Sequence, residues 1–502
     1  MNSLDLDGVT AYELDELAAV YADKIGQKIT LTDVYAISTA LTNKYRNDGY
    51  ILTQVVVPPQ TIDAGNVTLR VVEGYVDKIA VEGGDDSGLD LIRYYASAIN
   101  RNEALNVRDL ERSLLLINDL PGVQARSVLS PSKSQTGAAD IAIIVERDPY
   151  DIALSADNYG SRYLGPVQLG ASGSLNSFFG NNERITAQIV AAPDPGTNAR
   201  GEIELGYFAL SYAQPLPVLP LLGAGTQVEF LASHTDTEPG FDLEEFEVEG
   251  ISQFFSAKIS HPFIRSRSNN LTGYALLDWR NVESRSLVQP TIRDNIRAAR
   301  IGGNYEFLDT VLGVGVNSIG IELSRGLDIL GASDSGDANL TRGFGDPQFT
   351  KVTADIQRLQ RVTPKINVLL AATGQLSNGA LLSSEEFGVG GIGFGRGFDS
   401  SEIVGDEGFA GKIEIQWNEP KKVEFLDNYQ LFGFLDAGRT FNDDATTSSA
   451  RADTVTSTGA GIRSQFLGGI EGDLFFAVPL NRAVQAQGDE DPRLFFSLRK
   501  AF

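Results

Sequence analysis

Lys412-Ile413-Glu414-Ile415-Gln416-Trp417 alternates charged or amide side chains with large apolar ones. A strand with this period of two places Ile413, Ile415 and Trp417 on one face and Lys412, Glu414 and Gln416 on the other. Hydrocarbon accepts the first face and water the second. Ser318-Ile319-Gly-Ile321-Glu-Leu323-Ser324 repeats the pattern, as does Leu494-Phe495-Phe496-Ser497-Leu498. Beyond Tyr150 helical periodicity disappears. Alternating segments of roughly ten residues follow one another between Gly, Asn, Asp and Pro turns, as in a membrane β-barrel. Acidic tips such as Asp334-Ser-Gly-Asp337 and Asp443-Asp444 through Asp453 read as solvated loops. Roughly 350 residues at about 22 per strand and connection give about 16 antiparallel strands, an even number as bacterial barrels require. A soluble β-sandwich or propeller also alternates, but the chain lacks a blade-like repeat.

Composition narrows the chemistry. The 502 residues carry 66 Asp and Glu against 41 Lys and Arg, a formal charge of −25. Such a chain lacks the basic surface that nucleic-acid phosphates require. It has no cysteine and only two histidines, His234 and His261. Disulfides, thiol nucleophiles and Cys-ligated metals are excluded, and His-based catalysis has little material. No catalytic residue, metal site or cofactor is expected. The histidines read as interfacial or turn residues, and the acid pairs Glu244-Glu245 and Glu385-Glu386 as loop charges. No apolar run reaches the roughly 18 residues of a transmembrane helix. A signal-peptide pattern is missing at Met1, and Asn2 to Gly8 reads as a strand joined midway, which favours a truncated start.

The first 148 residues mix periods. Apolar spacing predicts a helix over Asp15–Ile25 and a second through Val34, Ile37, Leu41 and Tyr45, capped by Thr32 or Asp33 and ended by Gly49. Tyr50–Val57 reads as a strand stopped by Pro58-Pro59, Asp63-Ala-Gly65 as a turn, and Val67–Val71 as a further strand. A similar order then recurs: a strand at Val76–Val81, helices at Leu89–Ile99 and Val107–Leu120, strands at Val123–Leu129 and Asp140–Val145. Two copies of one supersecondary unit suggest a tandem repeat with a boundary at Asp148-Pro149. Val67, Leu69 and Val71 mark a strand whose edge an extended client could join by β-augmentation; which edge is open is not decided by the sequence.

One motif pair stands out in the second half. Gly388-Val-Gly-Gly-Ile-Gly-Phe-Gly-Arg396-Gly397-Phe398 places an arginine on a backbone nearly free of side chains. The stretch matches G-x-G-x-x-G literally, but a dinucleotide site needs a helix after it and none is patterned beyond Phe398. Downstream, Gly433-Phe434-Leu-Asp436-Ala-Gly438 alternates. Gln430, Phe432, Phe434, Asp436 and Gly438 share one face, and a carboxylate is too costly on the lipid side, so Asp436 is expected in the lumen. Arg396 is then expected to reach it.

These residues resemble a known group. Leu41-Thr42 through Tyr45, Gly49-Tyr50, Val57-Pro58, Gln60, Gly65 and Val72-Glu73-Gly74 are similar to the first POTRA domain of two-partner secretion transporters, the TpsB family. Arg396-Gly397-Phe398 resembles the motif at the tip of their sixth extracellular loop, and Phe434-Leu-Asp436-Ala-Gly438 their F-x-D-x-G strand. The resemblance implies two α+β POTRA domains in the periplasm (residues 1–74 and 75–148) and a 16-stranded barrel (149–502) in the bacterial outer membrane. It implies a latch joining Arg396, Gly397 and Phe398 to Phe434, Asp436 and Gly438. The expected partner is a large secreted exoprotein with an N-terminal secretion domain. Outer-membrane lipid and the barrel assembly machinery are further partners, the latter reading the terminal strand through Phe496, Leu498 and Phe502. A BamA-type insertase shares the loop and strand motifs. A diffusion porin has no need of the repeats, and a barrel enzyme would need a Ser-His site that is not evident.

Overall fold

A computed structural model describes the chain except at residues 63, 84–87, 100–102, 136, 194–202, 218–221, 289, 420–425, 444–450 and 467. Residue 63 of the expected turn and most of the acidic stretch after Asp443 therefore lie outside the described residues. One compact unit is Met1–Pro149 with the short segments Ser177–Asn182 and Arg265–Arg267; the other holds the remaining chain from Tyr150.

The first unit contains two three-stranded sheets. In the first, β1 (Ser3–Asp7), α1 (Leu14–Ala18), α2 (Leu31–Asn47), β2 (Gln54–Val56) and β3 (Asn66–Val72) follow in order. Strand β3 is central, parallel to β1 and antiparallel to β2. The core joins Leu17, Val34, Ile37, Leu41 and Tyr45 from the helices to Val55, Val67, Leu69 and Val71 from the sheet. Helix α2 begins with a capping box in which Thr30 is the N-cap and Asp33 reaches back to it. The cap thus lies two residues before the expected Thr32, and Asp33 is its partner at the third helical position. Helix α1 is shorter than expected. After Ala18 the backbone tightens into i→i+3 bonds from Val20 to Leu17 and from Tyr21 to Ala18, which lean both side chains on the core. The expected strand over Tyr50–Val57 shrinks to β2 because Ile51 and Leu52 form a turn.

The placement of β3 corrects the client-binding expectation. Val67, Leu69 and Val71 are buried on a strand whose two sides are both paired. No third strand can add there. The outer side of β2 is also closed, since Val55 donates its N–H to Thr42 Oγ1 (3.0 Å) and accepts from Ser38 Oγ (2.7 Å).

The second sheet repeats the design with β4 (Tyr75–Glu82), α3 (Leu89–Ser97), α4 (Val107–Asn118), β5 (Val123–Pro131) and β6 (Ala138–Arg147). Here β6 is central, between parallel β4 and antiparallel β5. Asn118 closes only part of the β5 edge, accepting from Ala125 N–H (2.8 Å) and donating to its carbonyl (3.0 Å). By the period of two, the backbone groups of Ser127 and Leu129 point the same outward way, and no strand among the described residues pairs with them.

Glu73, from the Val72-Glu73-Gly74 motif, knits the first sheet to its flank. It accepts from Tyr45 Oη (2.7 Å), from the backbone N–H of Thr10 and Ala11, and from the Thr10 hydroxyl. Burial opposes the charge, yet the bonds from Thr10, Tyr45 and Ala11 hold its pKa below the ordinary carboxylate value.

From Tyr150 onward 16 antiparallel strands close into a barrel, strand Arg493–Ala501 pairing with Tyr150–Asp157. Alternation sets the faces as read from the sequence. Ile413, Ile415 and Trp417 are exposed outward, whereas Glu414 and Gln416 are buried within. On Leu426–Phe441, Phe432, Phe434, Asp436 and Gly438 all point inward and are buried.

Replacing Thr30 with Ala should cost about 1 kcal/mol, measurable as roughly fivefold faster amide exchange in α2 of the intact chain. Because the folded pKa of Glu73 is depressed, its stabilisation is present above the unfolded value near 4.3 and is lost as pH falls through the folded one. Glu73→Gln should therefore flatten the acid limb of the first sheet's stability curve, read by the same exchange at a series of pH values.

Candidate functional site

Residues 378–406 connect strands Ile366–Ser377 and Glu407–Glu419. Within them Phe387–Val389 pairs with Ile403–Gly405 as a ribbon, and Phe398 N–H bonds to the Gly395 carbonyl (2.9 Å) in a tight turn. Among the described residues no α-helix follows Asn118. The G-x-G-x-x-G stretch is thus one arm of a ribbon and lacks the helix N-terminus that would hold a phosphate.

Arg396 stands at the tip and is 4% exposed. Its Nε donates to Asp436 Oδ2 (2.9 Å) and its Nη2 to Oδ1 (2.8 Å), a bidentate pair. The backbone N–H groups of Gly395 (3.3 Å) and Arg396 (3.1 Å) donate to the same Oδ2. The third guanidinium nitrogen, Nη1, donates to Glu414 Oε2 (2.5 Å). The guanidinium also lies 3.5 Å over the Phe434 ring. A buried charge is expensive unless every lone pair and N–H is used, and breaking such a pair costs about 3–5 kcal/mol. The turn at 395–396 presents its donors so that Asp436 receives four bonds from the loop.

Two glycines let the loop lie against the wall. A Cβ on Gly397 would stand 2.8 Å from Ser457 Cβ and 2.9 Å from Pro479 N, and one on Gly438 would meet Val389 at 2.6 Å. Phe398, 1% exposed, fills the cluster of Val389, Ile403, Ala410, Val455 and Val484.

Glu414 escaped the sequence reading although its inward parity was legible in the Lys412–Trp417 alternation. It is shared: Arg463 Nη1 and Nη2 donate to its two oxygens (2.6 and 3.1 Å) and Gln416 Nε2 to Oε1 (2.9 Å). Arg463 in turn stacks 3.8 Å over Phe432. Lys412 Nζ donates to the Gly393 carbonyl (3.0 Å), adding a second wall contact to the tip.

Glu385 and Glu386 are not solvated loop charges. Glu385, 2% exposed, is bound by Arg300 Nη2 (2.9 Å) and Lys351 Nζ (2.8 Å) from inward faces of strands Ile292–Asp309 and Thr350–Arg361. Glu386 pairs with Arg342 at 3.0 Å, and Arg342 also holds Asp406. The loop is therefore fastened at its base as well as at its tip. The pairing of acids with distant arginines has no local signature, so alternation alone did not reveal it.

At the chain end, Leu498 and Phe502 are exposed on the outward side with Leu494, and Phe495 is the inward residue. Phe496, expected on that apolar row, is less exposed. His261 is buried, with Nδ1 2.9 Å from Thr226 Oγ1, and His234 lies 2.9 Å from Asp236.

Comparison with known proteins agrees with this architecture. Residues 137–464 match the family of haemolysin secretion/activation proteins ShlB/FhaC/HecB, and residues 1–74 match the ShlB-type POTRA domain. HuxB, the heme/hemopexin transporter protein of Haemophilus influenzae, is 23% identical over 94% of this chain and 81% of its own length. The hemolysin transporter protein ShlB of Serratia marcescens is 25% identical over 80% and 69%. Among solved structures, CdiB from Escherichia coli superposes with a TM-score of 0.78 at 20% identity, covering 100% of this chain and 90% of that one. BamA from Haemophilus ducreyi lacking POTRA domains 1–3 gives 0.59 at 15% identity over both whole chains. With a ShlB-type POTRA domain at residues 1–74 and a closed barrel of 16 strands, the chain belongs to the ShlB/FhaC/HecB family of two-partner secretion transporters of the outer membrane.

Proposed function

We propose that this chain carries one large, unfolded partner exoprotein across the outer membrane, and that the Arg396 tip is the latch that keeps the lumen closed until the client arrives. The observation that carries the reading is the bidentate Arg396–Asp436 pair with Glu414 behind it, which holds a long glycine-rich loop inside a closed barrel. A diffusion porin gains nothing from such a loop fastening or from two sheet domains ahead of the first strand. Transport asks for no catalytic residue and no cofactor. The free energy comes from client folding outside the cell.

Capture begins on the periplasmic side. With β3 enclosed and β2 closed by Ser38 and Thr42, the outer strands left are β1, β4 and β5, and we place capture on β5 at Ser127 and Leu129. An extended segment adds there through backbone bonds, largely independent of its sequence. The exoprotein's N-terminal secretion domain is its source. The terminal residues Leu498 and Phe502, with Phe496, serve recognition by the assembly machinery during biogenesis, and the outward apolar faces meet outer-membrane lipid.

Asp436→Asn should lower secretion at least about tenfold and make the loop more sensitive to added protease in intact cells, because it leaves the buried Arg396 without its main counter-charge, a break that costs about 3–5 kcal/mol. Exchanging the two charges, Arg396→Asp with Asp436→Arg, should not restore secretion. The new carboxylate would face Glu414, and the new guanidinium would face two backbone N–H donors. Recovery to wild-type secretion in the exchanged pair would sink the latch as drawn. For capture, Ser127→Pro and Leu129→Pro remove outward N–H donors without touching the β5–β6 ladder. Each should weaken client crosslinking several-fold while leaving the barrel's heat-resistant gel migration intact. Unchanged crosslinking would move the capture site elsewhere.

A further inference from the structure

A row of three outward side chains crosses the outer end of the barrel: Phe409 is opposite Arg439, and Arg439 is opposite Thr454. On strand Leu426–Phe441, Phe434 and Asp436 point into the lumen, so Leu431, Leu435 and Arg439 share the outward face. On the paired strand Glu407–Glu419 that face carries Trp417, Ile415, Ile413 and Phe409. The climb from Trp417 to Phe409 is about 21 Å along the membrane normal, at about 3.4 Å per residue and a tilt of about 40°. A barrel's apolar band is about 25 Å tall and is edged by aromatic side chains. Trp417 marks one edge and Phe409, 57% exposed, the other. Arg439 therefore stands where hydrocarbon gives way to headgroups, at the end of the barrel from which residues 378–406 hang.

The two polar members of the row are exposed, and among the described residues no ion pair or hydrogen bond engages the Arg439 guanidinium or the Thr454 hydroxyl. The guanidinium has only the Phe441 ring, 5.2 Å to its centre. The nearby acids are turned elsewhere. Glu407 accepts from Ser377 N–H (3.4 Å) on its other neighbour, and Asp453 is paired with Arg482 (3.1 Å). The arrangement recurs on strands Gly315–Gly326 and Thr350–Arg361. Arg325 is exposed on the same face as Ile321 and Leu323, and stands opposite Thr350, to whose hydroxyl its Nη1 donates (2.5 Å). The loop after it reaches residues 378–406 through Arg342 and Asp406, so this pair too lies at the outer end. Arginine is tolerated on the lipid face only near the membrane surface. Both pairs sit at that level without a carboxylate.

We propose that Arg439 with Thr454, and Arg325 with Thr350, are seats for the phosphate of an outer-leaflet lipid headgroup. The planar guanidinium gives parallel N–H bonds to phosphate oxygens, and the hydroxyl beside it adds another. A free phosphate would use the polar pair alone. A lipid also lays its acyl chains on the apolar residues nearer the membrane centre. Below Arg439 these are Leu435 and Ile413, which are opposite each other and exposed; below Arg325 they are Leu323 and Ile321. The seats are separate from the lumen, since strand Leu426–Phe441 turns Asp436 to the latch and Arg439 to the lipid.

The test uses the full chain in detergent micelles, titrated with diphosphorylated lipid A or with the same lipid after enzymatic removal of its phosphates, and read by native mass spectrometry. The phosphorylated lipid should be retained at least about tenfold better. Arg439→Gln and Arg325→Gln should each remove one tightly bound lipid, and the double variant should treat both lipids alike. Thr454→Val should weaken retention several-fold. Gel mobility with and without heating reports whether the variants are folded. Independently of them, a photo-crosslinking residue in place of Phe409, with Arg439 intact, should capture radiolabelled lipid A, and an excess of the dephosphorylated lipid should not compete. Equal retention of the two lipids by the unaltered chain, or crosslinking abolished by the dephosphorylated lipid, overturns the phosphate seats. Displacement of the bound lipid by millimolar inorganic phosphate overturns a lipid as their occupant. Secretion by the latch stands or falls separately.

Discussion

A guanidinium cannot remain in a barrel lumen at 4% exposure unless carboxylates hold it, and much of the second unit is arranged around that requirement. Asp436 supplies both oxygens, Glu414 takes the nitrogen left over, and Phe434 places its ring beneath the plane. Each supporting group then needs its own partners. Glu414 is completed by Arg463 and Gln416, and Arg463 by Gln430 and the Phe432 face. The glycines at 397 and 438 are the geometric side of the same constraint, since a methyl at either would push the loop off the wall. Buried ion clusters of this sort add little net stability compared with apolar packing, but they define one geometry sharply. For the latch proposed above, a loop first held in one place and then released, that trade is an advantage.

The barrel was legible because lipid and water impose a period of two on every strand, and Lys412–Trp417 already shows it. The same parity gives Asp436 its inward direction. Glu414 obeys the same parity, but a single acid on an alternating strand carries no motif that marks it as a partner of the loop. The base of the loop was not legible at all. Glu385 meets Arg300 and Lys351 across 85 and 34 residues of sequence, and only the closed ring brings them together. In the first unit the hydrophobic periods located every strand of the second sheet but overextended α1 and β2. There short turns at Ala18–Tyr21 and Ile51–Leu52 satisfy the core without regular structure.

The expectation for Val67, Leu69 and Val71 failed for an instructive reason. Alternation tells which side chains are buried, but says nothing about which strand lies at the edge of a sheet. The last strand of each repeat returns to the middle, parallel to the first. A central strand is the most strongly alternating and the least available.

Side chains of α2 and α4 dress the outer backbone of β2 and β5, leaving on β5 only the stretch around Ser127 and Leu129 open. A docking length this small forms only a few backbone hydrogen bonds, each contributing about 1 kcal/mol net. In the proposed capture, occupancy of this edge is brief. For a site whose ligand must move on, a long residence time would be a defect: a chain gripped along a full strand would stall at the first station.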